Sequence, residues 1–208
     1  MDERDPGVKT IEETGEGNCA LSAQKGYSIS AALDRRQNVI LERIELSDVI
    51  RVFTVHCPQV AWYGEPGQFV IVRQDEFGER VPLTIADFHR EEGWITLVVQ
   101  IVGAATRRLD EMAPGDALQD IVGPLGHESE IDRFGTVVCI GGGLGIAPVF
   151  PIQRALKLAG NRVLSVMGAR SRNLVFWEDR MRACADELYV TTDDGSYGEK
   201  GFVTAVLQ

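Results

Sequence analysis

An apolar, β-branched run that stops on glycine constrains this chain more than any other feature. Val137-Val138-Cys139-Ile140 leads into Gly141-Gly142-Gly143, and Leu144, Gly145, Ile146, Ala147 and Pro148 follow before a helical pattern begins. Glycine belongs where backbone takes a positive φ or passes close to a ligand. Proline suits a first helical turn, where its missing N–H has no acceptor to lose. The segment therefore reads as strand, tight loop and helix, with the amides of the helix start open to an anion such as phosphate. The common dinucleotide spacing G-x-G-x-x-G does not fit; G-x-G-x-x-P does, on Gly143, Gly145 and Pro148. A glycine-rich turn without a ligand is the alternative reading.

Around this point the sequence changes grammar. Residues 38–46, 49–57, 67–73, 81–88 and 94–102 are short β-rich runs parted by turn signals, with a further candidate at 117–122 and a short helix at 106–112. Strands at this spacing predict a six-stranded antiparallel barrel. From Gly135 onward, strands at 136–140, 162–167 and 187–191 alternate with helices at 147–159 and 177–185, and a last helix starts near Val203. That alternation predicts a parallel sheet. Three parallel strands are one half of a doubly wound nucleotide-binding domain. The α/β part thus reads as incomplete at its C-terminus, either as a fragment or as a sheet that a partner completes, with apolar surface left bare. The expected organisation is a polar extension over 1–36, a barrel over 37–132 and an α/β domain over 133–208.

Composition sets outer limits. Of 208 residues 44% are hydrophobic and 25% charged, enough for a proper core. The net charge of −10 comes without a basic run, which argues against nucleic acid. Cys19, Cys57, Cys139 and Cys184 show neither metal-ligand spacing nor C-x-x-C, the usage of a reducing, cytoplasmic compartment; Cys139 reads as a buried thiol. The long uncharged stretch 134–152 carries several glycines and prolines and makes a poor membrane span.

Candidate site residues fall at strand ends. In Glu79-Arg80-Val81-Pro82-Leu83-Thr84, Arg80 is suited to pairing a phosphate and the Thr84 hydroxyl to meeting a heterocycle edge; alone, each is an ordinary strand or surface residue. Gln100-Ile101-Val102-Gly103-Ala104-Ala105-Thr106 ends a strand in small residues, and Thr106 either caps the next helix or meets a diphosphate. Gly123-Pro124-Leu125-Gly126 reads as a turn closing the barrel, and Asp193-Asp194-Gly195 follows the third parallel strand, where such sheets place ligands.

In this order, the segments 78–87, 123–126 and 141–148 resemble the ferredoxin–NADP reductase superfamily. Within it they resemble the branch holding the electron-transfer subunit of dihydroorotate dehydrogenase and the small subunit of NADH-dependent reduced ferredoxin:NADP oxidoreductase. The resemblance covers about residues 38 to 208. It implies an FAD-binding barrel followed by an NAD(H)-binding domain. Pro82, Leu83 and Thr84 would lie along the isoalloxazine, with Thr84 near its N5. Gln100 and Ile101 would flank the ribose or adenine, and Gly103, Ala104, Ala105 and Thr106 the pyrophosphate. Gly141, Gly142, Gly143, Gly145, Ile146, Ala147 and Pro148 would hold the nicotinamide dinucleotide. Arg170 and Ser171 would stand near its adenosine end, and Asp193, Asp194 and Gly195 beside it. Arg170 and Arg172 keep NADP open as the alternative to NAD.

The implied activity is oxidation of NAD(P)H by hydride transfer to flavin, with onward transfer to an iron–sulfur or partner-subunit acceptor. A larger oxidoreductase subunit is the implied partner, with ferredoxin as a further candidate. The family's [2Fe–2S] centre needs a cysteine spacing such as C-x₄-C-x₂-C, which these 208 residues lack, so it is expected only in a longer chain. Hydride transfer needs no general acid or base, and His56, His89 and His127 read as structural or surface residues. A stand-alone NAD(P)H:acceptor flavin reductase and a non-catalytic flavin-binding or assembly module are the alternatives.

Overall fold

The computed structural model describes Cys19 and residues 37–207. Apart from Cys19, the polar extension over 1–36 lies outside the described residues. Six antiparallel strands come first: β1 (Val39–Ser47), β2 (Ile50–His56), β3 (Phe69–Arg73), β4 (Val81–His89), β5 (Trp94–Gln100) and β6 (Asp120–Leu125), in the order β1-β2-β5-β4-β3-β6. A bridge between Val39 and Ala117, just ahead of β6, links the two ends of this order and closes the barrel. Alternation along the strands sends Ile40, Phe53, Val55, Val70, Val72, Ile85, Ile95 and Leu97 into one barrel core.

Two short helices attach to the barrel: α1 (Pro58–Tyr63), which begins on a proline, and α2 (Ala104–Asp110). The sequence reading missed α1, a single turn too short to show a helical period. It also placed a turn at Gly123–Gly126, yet Gly123, Pro124 and Leu125 continue β6: Leu125 pairs with Phe69 of β3, and Gly123 and Pro124 fall in a bulge of that pairing. Gly123 allows this, because a Cβ there would stand 2.7 Å from Val70 Cγ1.

The second lobe is a parallel sheet of β7 (Thr136–Gly142), β8 (Arg162–Ala169), β9 (Glu187–Thr192) and the two-residue β10 (Glu199–Lys200), in the order β10-β9-β8-β7. Helices α3 (Ile146–Leu158) and α4 (Glu178–Ala183) make the crossovers, and Val203–Leu207 forms a 3₁₀ turn where a helix was expected. Gln153 of α3 ties the lobe together: its Oε1 accepts from Ser165 of β8 at 2.7 Å, and its Nε2 donates to the Met181 carbonyl at 2.8 Å. One face of the sheet packs on the crossover helices, and Val203 covers the other at Gly168. Elsewhere on that second face Val138, Ile140 and Tyr189 are exposed among the described residues, an apolar patch around the buried Val166.

The lobes share a core. Ile50, Val52, Ala86 and Val98 of the barrel's outer wall pack with Ile146, Ala147 and Phe150 of α3. Cys19 joins this cluster and is linked by a disulfide to Cys184 at the end of α4, a pairing that the reading of a reducing compartment did not anticipate. Cys57 and Cys139 are free thiols and buried, and burial pushes Cys139 up to about 11, so it stays protonated and unreactive at neutral pH. No helix among the described residues is long and apolar enough to cross a membrane.

A carboxylate fastens α2 to the barrel. Asp110 accepts from Arg43 of β1 at 2.6 Å and from the buried Arg51 of β2 at 2.7 Å. Burial pushes the Asp110 carboxyl up, but the hydrogen bonds from the two arginines outweigh it and hold the group below its ordinary value. A lowered folded-state pKa contributes stability above the unfolded pKa and loses it as pH falls through the folded value. Asp110→Asn should therefore cost about 1–3 kcal/mol at neutral pH. In urea titrations the gap between wild type and variant should be constant above about pH 5 and shrink below about pH 4; a gap that does not narrow in acid would refute the assignment.

Candidate functional site

Strand β4 and the glycine loop face each other across a cleft of about 300 Å³. Pro82, Leu83 and Thr84 of β4 and Val98 of β5 form one wall; Leu144, Gly145, Ala147 and Pro148 form the other. The loop gets there by one 3₁₀ turn, Gly143–Gly145, between the end of β7 and the start of α3. Two kinds of glycine build it. Gly141 is packed, since a Cβ would sit 3.0 Å from the Ile146 Cα and force β7 away from α3. Gly142, Gly143 and Gly145 are open, with no described atom within 4 Å of where a Cβ would stand, and Gly143 has a φ of +53°. Their missing side chains leave bare backbone facing space, a cradle that a ligand can approach closely.

The same loop borders a second hollow, of about 260 Å³, over the carboxyl end of the parallel sheet. Gly142, Gly143, Gly168, Ala169, Arg170, Asp193, Phe202 and Val203 line it. Ligands of open α/β sheets lie at this end. An elongated molecule can thus run from the arginine and aspartate at the sheet over the glycine loop to β4. Beside the hollow, the Arg172 guanidinium lies over the Tyr197 ring at 4.6 Å, and its backbone N–H donates to Ser196 Oγ at 2.9 Å.

A third, smaller hollow of about 120 Å³ lies at the start of α2, between Phe77, Glu79, Ala104, Ala105 and Arg108. Phe77 is 82% exposed, unusual for an aromatic side chain, and offers a ring face there. No Cβ crowds Gly103. The Thr106 hydroxyl accepts from the backbone N–H groups of Val102 and Gly103, each at 3.0 Å, and so serves as the helix cap of the two roles open to it.

Not every residue singled out in the sequence reaches these hollows. Pro82, Leu83, Thr84, Ala104, Ala105, Gly142, Gly143, Gly145, Ala147, Pro148, Arg170 and Asp193 line them. Ile146 is fully buried in the core between the lobes, and Ile101 packs against the barrel core. Gly141 lies under the loop. Arg80 and Gln100 are exposed at the ends of β4 and β5 and line none of these three hollows. The Ser171 hydroxyl donates to Asn173 at 2.6 Å. Asp194 closes its own turn, where hydrogen bonds from Ser196 hold it below its ordinary value, and Gly195 serves that turn with a φ of +75°. The sequence reading missed Phe77, Val98, Arg108, Leu144, Phe202 and Val203. Leu144 was findable, flanked by the glycines; the others come from distant segments without a motif. Of the histidines, His89 Nδ1 accepts from the Glu92 N–H at 3.2 Å and His127 is exposed, in line with structural and surface roles.

No family model matches the chain. It is 45% identical over 170 residues, 82% of its length, to the dihydroorotate dehydrogenase B (NAD(+)) electron transfer subunit homolog of Thermotoga maritima, of which it spans 60%. It is 33% identical over 179 residues to the dihydroorotate dehydrogenase B (NAD(+)) electron transfer subunit of Geobacillus thermodenitrificans, covering 83% of this chain and 68% of that one. Among solved structures it matches the NADH-dependent reduced ferredoxin-NADP oxidoreductase, studied for flavin-based electron bifurcation, with a TM-score of 0.80 and 42% identity over 83% of this chain and 62% of that one. The chain thus spans about 60% of the length of the first of these relatives.

The two kinds of glycine predict opposite responses. Gly142→Ala adds a methyl to open space in extended backbone and should leave stability within about 0.5 kcal/mol. Gly168→Ala would place a Cβ 2.5 Å from Val203 Cγ1 and 2.8 Å from Thr191 Oγ1. It should cost about 1–3 kcal/mol, as read from the denaturation midpoint; equal behaviour of the two variants would contradict this packing.

Proposed function

The chain belongs to the family of the dihydroorotate dehydrogenase B electron transfer subunits, and on that premise we propose that it binds FAD and NAD(H) on the two walls of the cleft and takes electrons from NADH. The observation that carries this reading is the meeting of Leu83 and Thr84 with the open glycine loop across one gap. In this reading residues 37–132 are the flavin half and 133–208 the nicotinamide half.

The residues fit both groups. Leu83 offers an aliphatic surface to a flat ring and Thr84 a hydroxyl to its edge. Ala104 and Ala105 leave their backbone amides in the first turn of α2 open to a diphosphate, and Gly103, whose own N–H is held by Thr106, gives it room. Phe77 and Arg108 flank that place and suit an adenine and a phosphate. Gly142, Gly143 and Gly145 admit a second diphosphate close to the backbone. Bound there, FAD supplies the acceptor for a hydride and the means of releasing electrons singly. The chain's own part is orientation: the shared core between the lobes fixes both walls, and Leu144, Pro148 and Val98 shield the gap from water.

Arg170 and Asp193 stand together at the adenosine end. A carboxylate suits the free ribose hydroxyls of NAD(H) and opposes a 2′-phosphate, so NAD(H) is the proposed partner of the pair. The onward acceptor in this proposal is an iron–sulfur centre in a longer chain or a partner oxidoreductase subunit, with the bare sheet face around Ile140 and Tyr189 as further support for such a neighbour.

The decisive experiment is an anaerobic visible spectrum of the FAD-loaded protein before and after NADH. Bleaching of the flavin bands is expected. Gly142→Val, whose extended φ of −117° suits a β-branched residue, should keep FAD and stability while weakening NADH binding at least tenfold, about 1.4 kcal/mol. Flavin bands that NADH leaves unchanged would overturn the proposal.

A further inference from the structure

Asp87 is a fully buried carboxylate, 1% exposed, three residues beyond Thr84 on β4. Its position is unusual for its strand. In regular alternation Ile85 would face the barrel core, Ala86 the outside and Asp87 the core again. The pairing of β4 with β5 slips between Ile85 and Asp87: Ile85 faces Leu97, and Asp87 faces Thr96. The extra residue is a β-bulge, which re-aims side chains. Ile85 and Phe88 accordingly pack with the barrel core, Ala86 with the core between the lobes, and Asp87 reaches the α/β lobe.

There it meets two arginines from two helices. Arg154 of α3 bonds Asp87 Oδ1 at 2.6 Å, and Arg180 of α4 bonds Asp87 Oδ2. Both guanidiniums are pinned further. Arg154 lies 5.3 Å from the Phe150 ring centre and 5.9 Å from that of Phe88, so it touches both lobes. Arg180 lies over Phe150 at 4.3 Å and Trp177 at 4.4 Å. Arg180 Nε and Nη1 are buried without a hydrogen-bond partner among the described residues, so Asp87 is the anion that holds this guanidinium in place. One carboxylate thus fixes two helices to the strand that carries Leu83 and Thr84. Arg154 stands two turns along α3 from Ile146, and the first turn of α3 is the far wall of the cleft.

We propose that Asp87 is a positioning residue for hydride transfer: through Arg154 and Arg180 it sets the separation and tilt of the glycine loop over β4. This rests on the flavin and nicotinamide reading given above. The role differs from binding. The hollow at the sheet that takes the adenosine end lies within the α/β lobe and moves with it, so loosening the clamp leaves affinity largely intact. The gap between the lobes changes instead, and hydride transfer is sensitive to sub-ångström misplacement.

The test uses the full-length holoprotein, with any partner subunits, and compares wild type, Asp87→Asn and Arg154→Lys under anaerobic conditions. Three readouts are taken: FAD content, the dissociation constant for NADH, and the rate of flavin bleaching in stopped flow, with the long-wavelength charge-transfer band as a report on ring stacking. Asp87→Asn is expected to keep its FAD and to bind NADH within threefold of wild type. Its bleaching should slow at least tenfold and its charge-transfer band weaken. Arg154→Lys keeps the charge but loses the planar fork, and should show a smaller loss of the same kind. If Asp87→Asn does not fold, Arg154→Lys decides alone: bleaching at least threefold slower with FAD and NADH binding retained supports the role. Rates within twofold of wild type in the folded variants, with an unchanged charge-transfer band, overturn it. A loss of NADH affinity that accounts for the whole effect also overturns it. A wild type whose flavin NADH does not bleach sinks the underlying reading, a result distinct from a wild type that bleaches and variants that match it.

Discussion

The contact between the barrel's outer wall and the first two turns of α3 is the constraint on which the rest of this structure depends. Ile146 and Phe150 are fully buried there, against Ile50, Val52, Ala86 and Val98. Burying side chains of this size is favourable by about 1.5–3 kcal/mol each. The glycine loop has little packing of its own to fix it: Leu144 rests on the core between the lobes, but three of its glycines face open space. Its position is inherited from the helix that follows, and the helix is held by the barrel. The cleft is therefore a by-product of a hydrophobic seam, and its shape is as definite as that seam.

Electrostatics sharpens the seam where packing alone would permit sliding. An apolar contact is non-directional, whereas the fork of a guanidinium on a carboxylate has a geometry. Asp87 with Arg154 and Arg180, and Asp110 with Arg43 and Arg51, share one design: a carboxylate between two arginines, joining elements distant in sequence. The first joins lobe to lobe, the second a helix to the barrel. Removing a partner from such a group leaves a charge without compensation, so each cluster acts against a single alternative packing as well as for the native one.

Much of this was legible in the sequence because it is local. Alternation revealed the barrel strands, and the change to longer periods revealed the parallel sheet. The glycine loop announced itself, as did the small residues before α2. The residues that went astray did so for reasons of tertiary structure. Ile146 sits within the loop motif but points the other way, because the first turn of a helix has an inner face. Asp194 and Gly195 look like ligand residues and are turn residues. Gly123 and Pro124 look like a turn and are strand, since an edge without cross-strand crowding at Val70 is what that glycine provides. Asp87, Arg154 and Arg180 stand in no motif of charge pairing, for no periodicity foretells a bulge. Cys19 and Cys184, 165 residues apart, gave no spacing to read.

Strand β7 carries one more consequence. Its residues are apolar on both sides, the composition of a strand buried on two faces. Cys139 is sealed under α3, while Val138 and Ile140 look the other way, and Ile140 stands in one cross-strand row with Val166 and Tyr189. Val166 is already buried in that row; covering the exposed Val138, Ile140 and Tyr189 would release the water ordered over them, a driving force that weakens in the cold. A neighbour packed on Val138, Ile140 and Tyr189 would for that reason be held less firmly in the cold than in the warm.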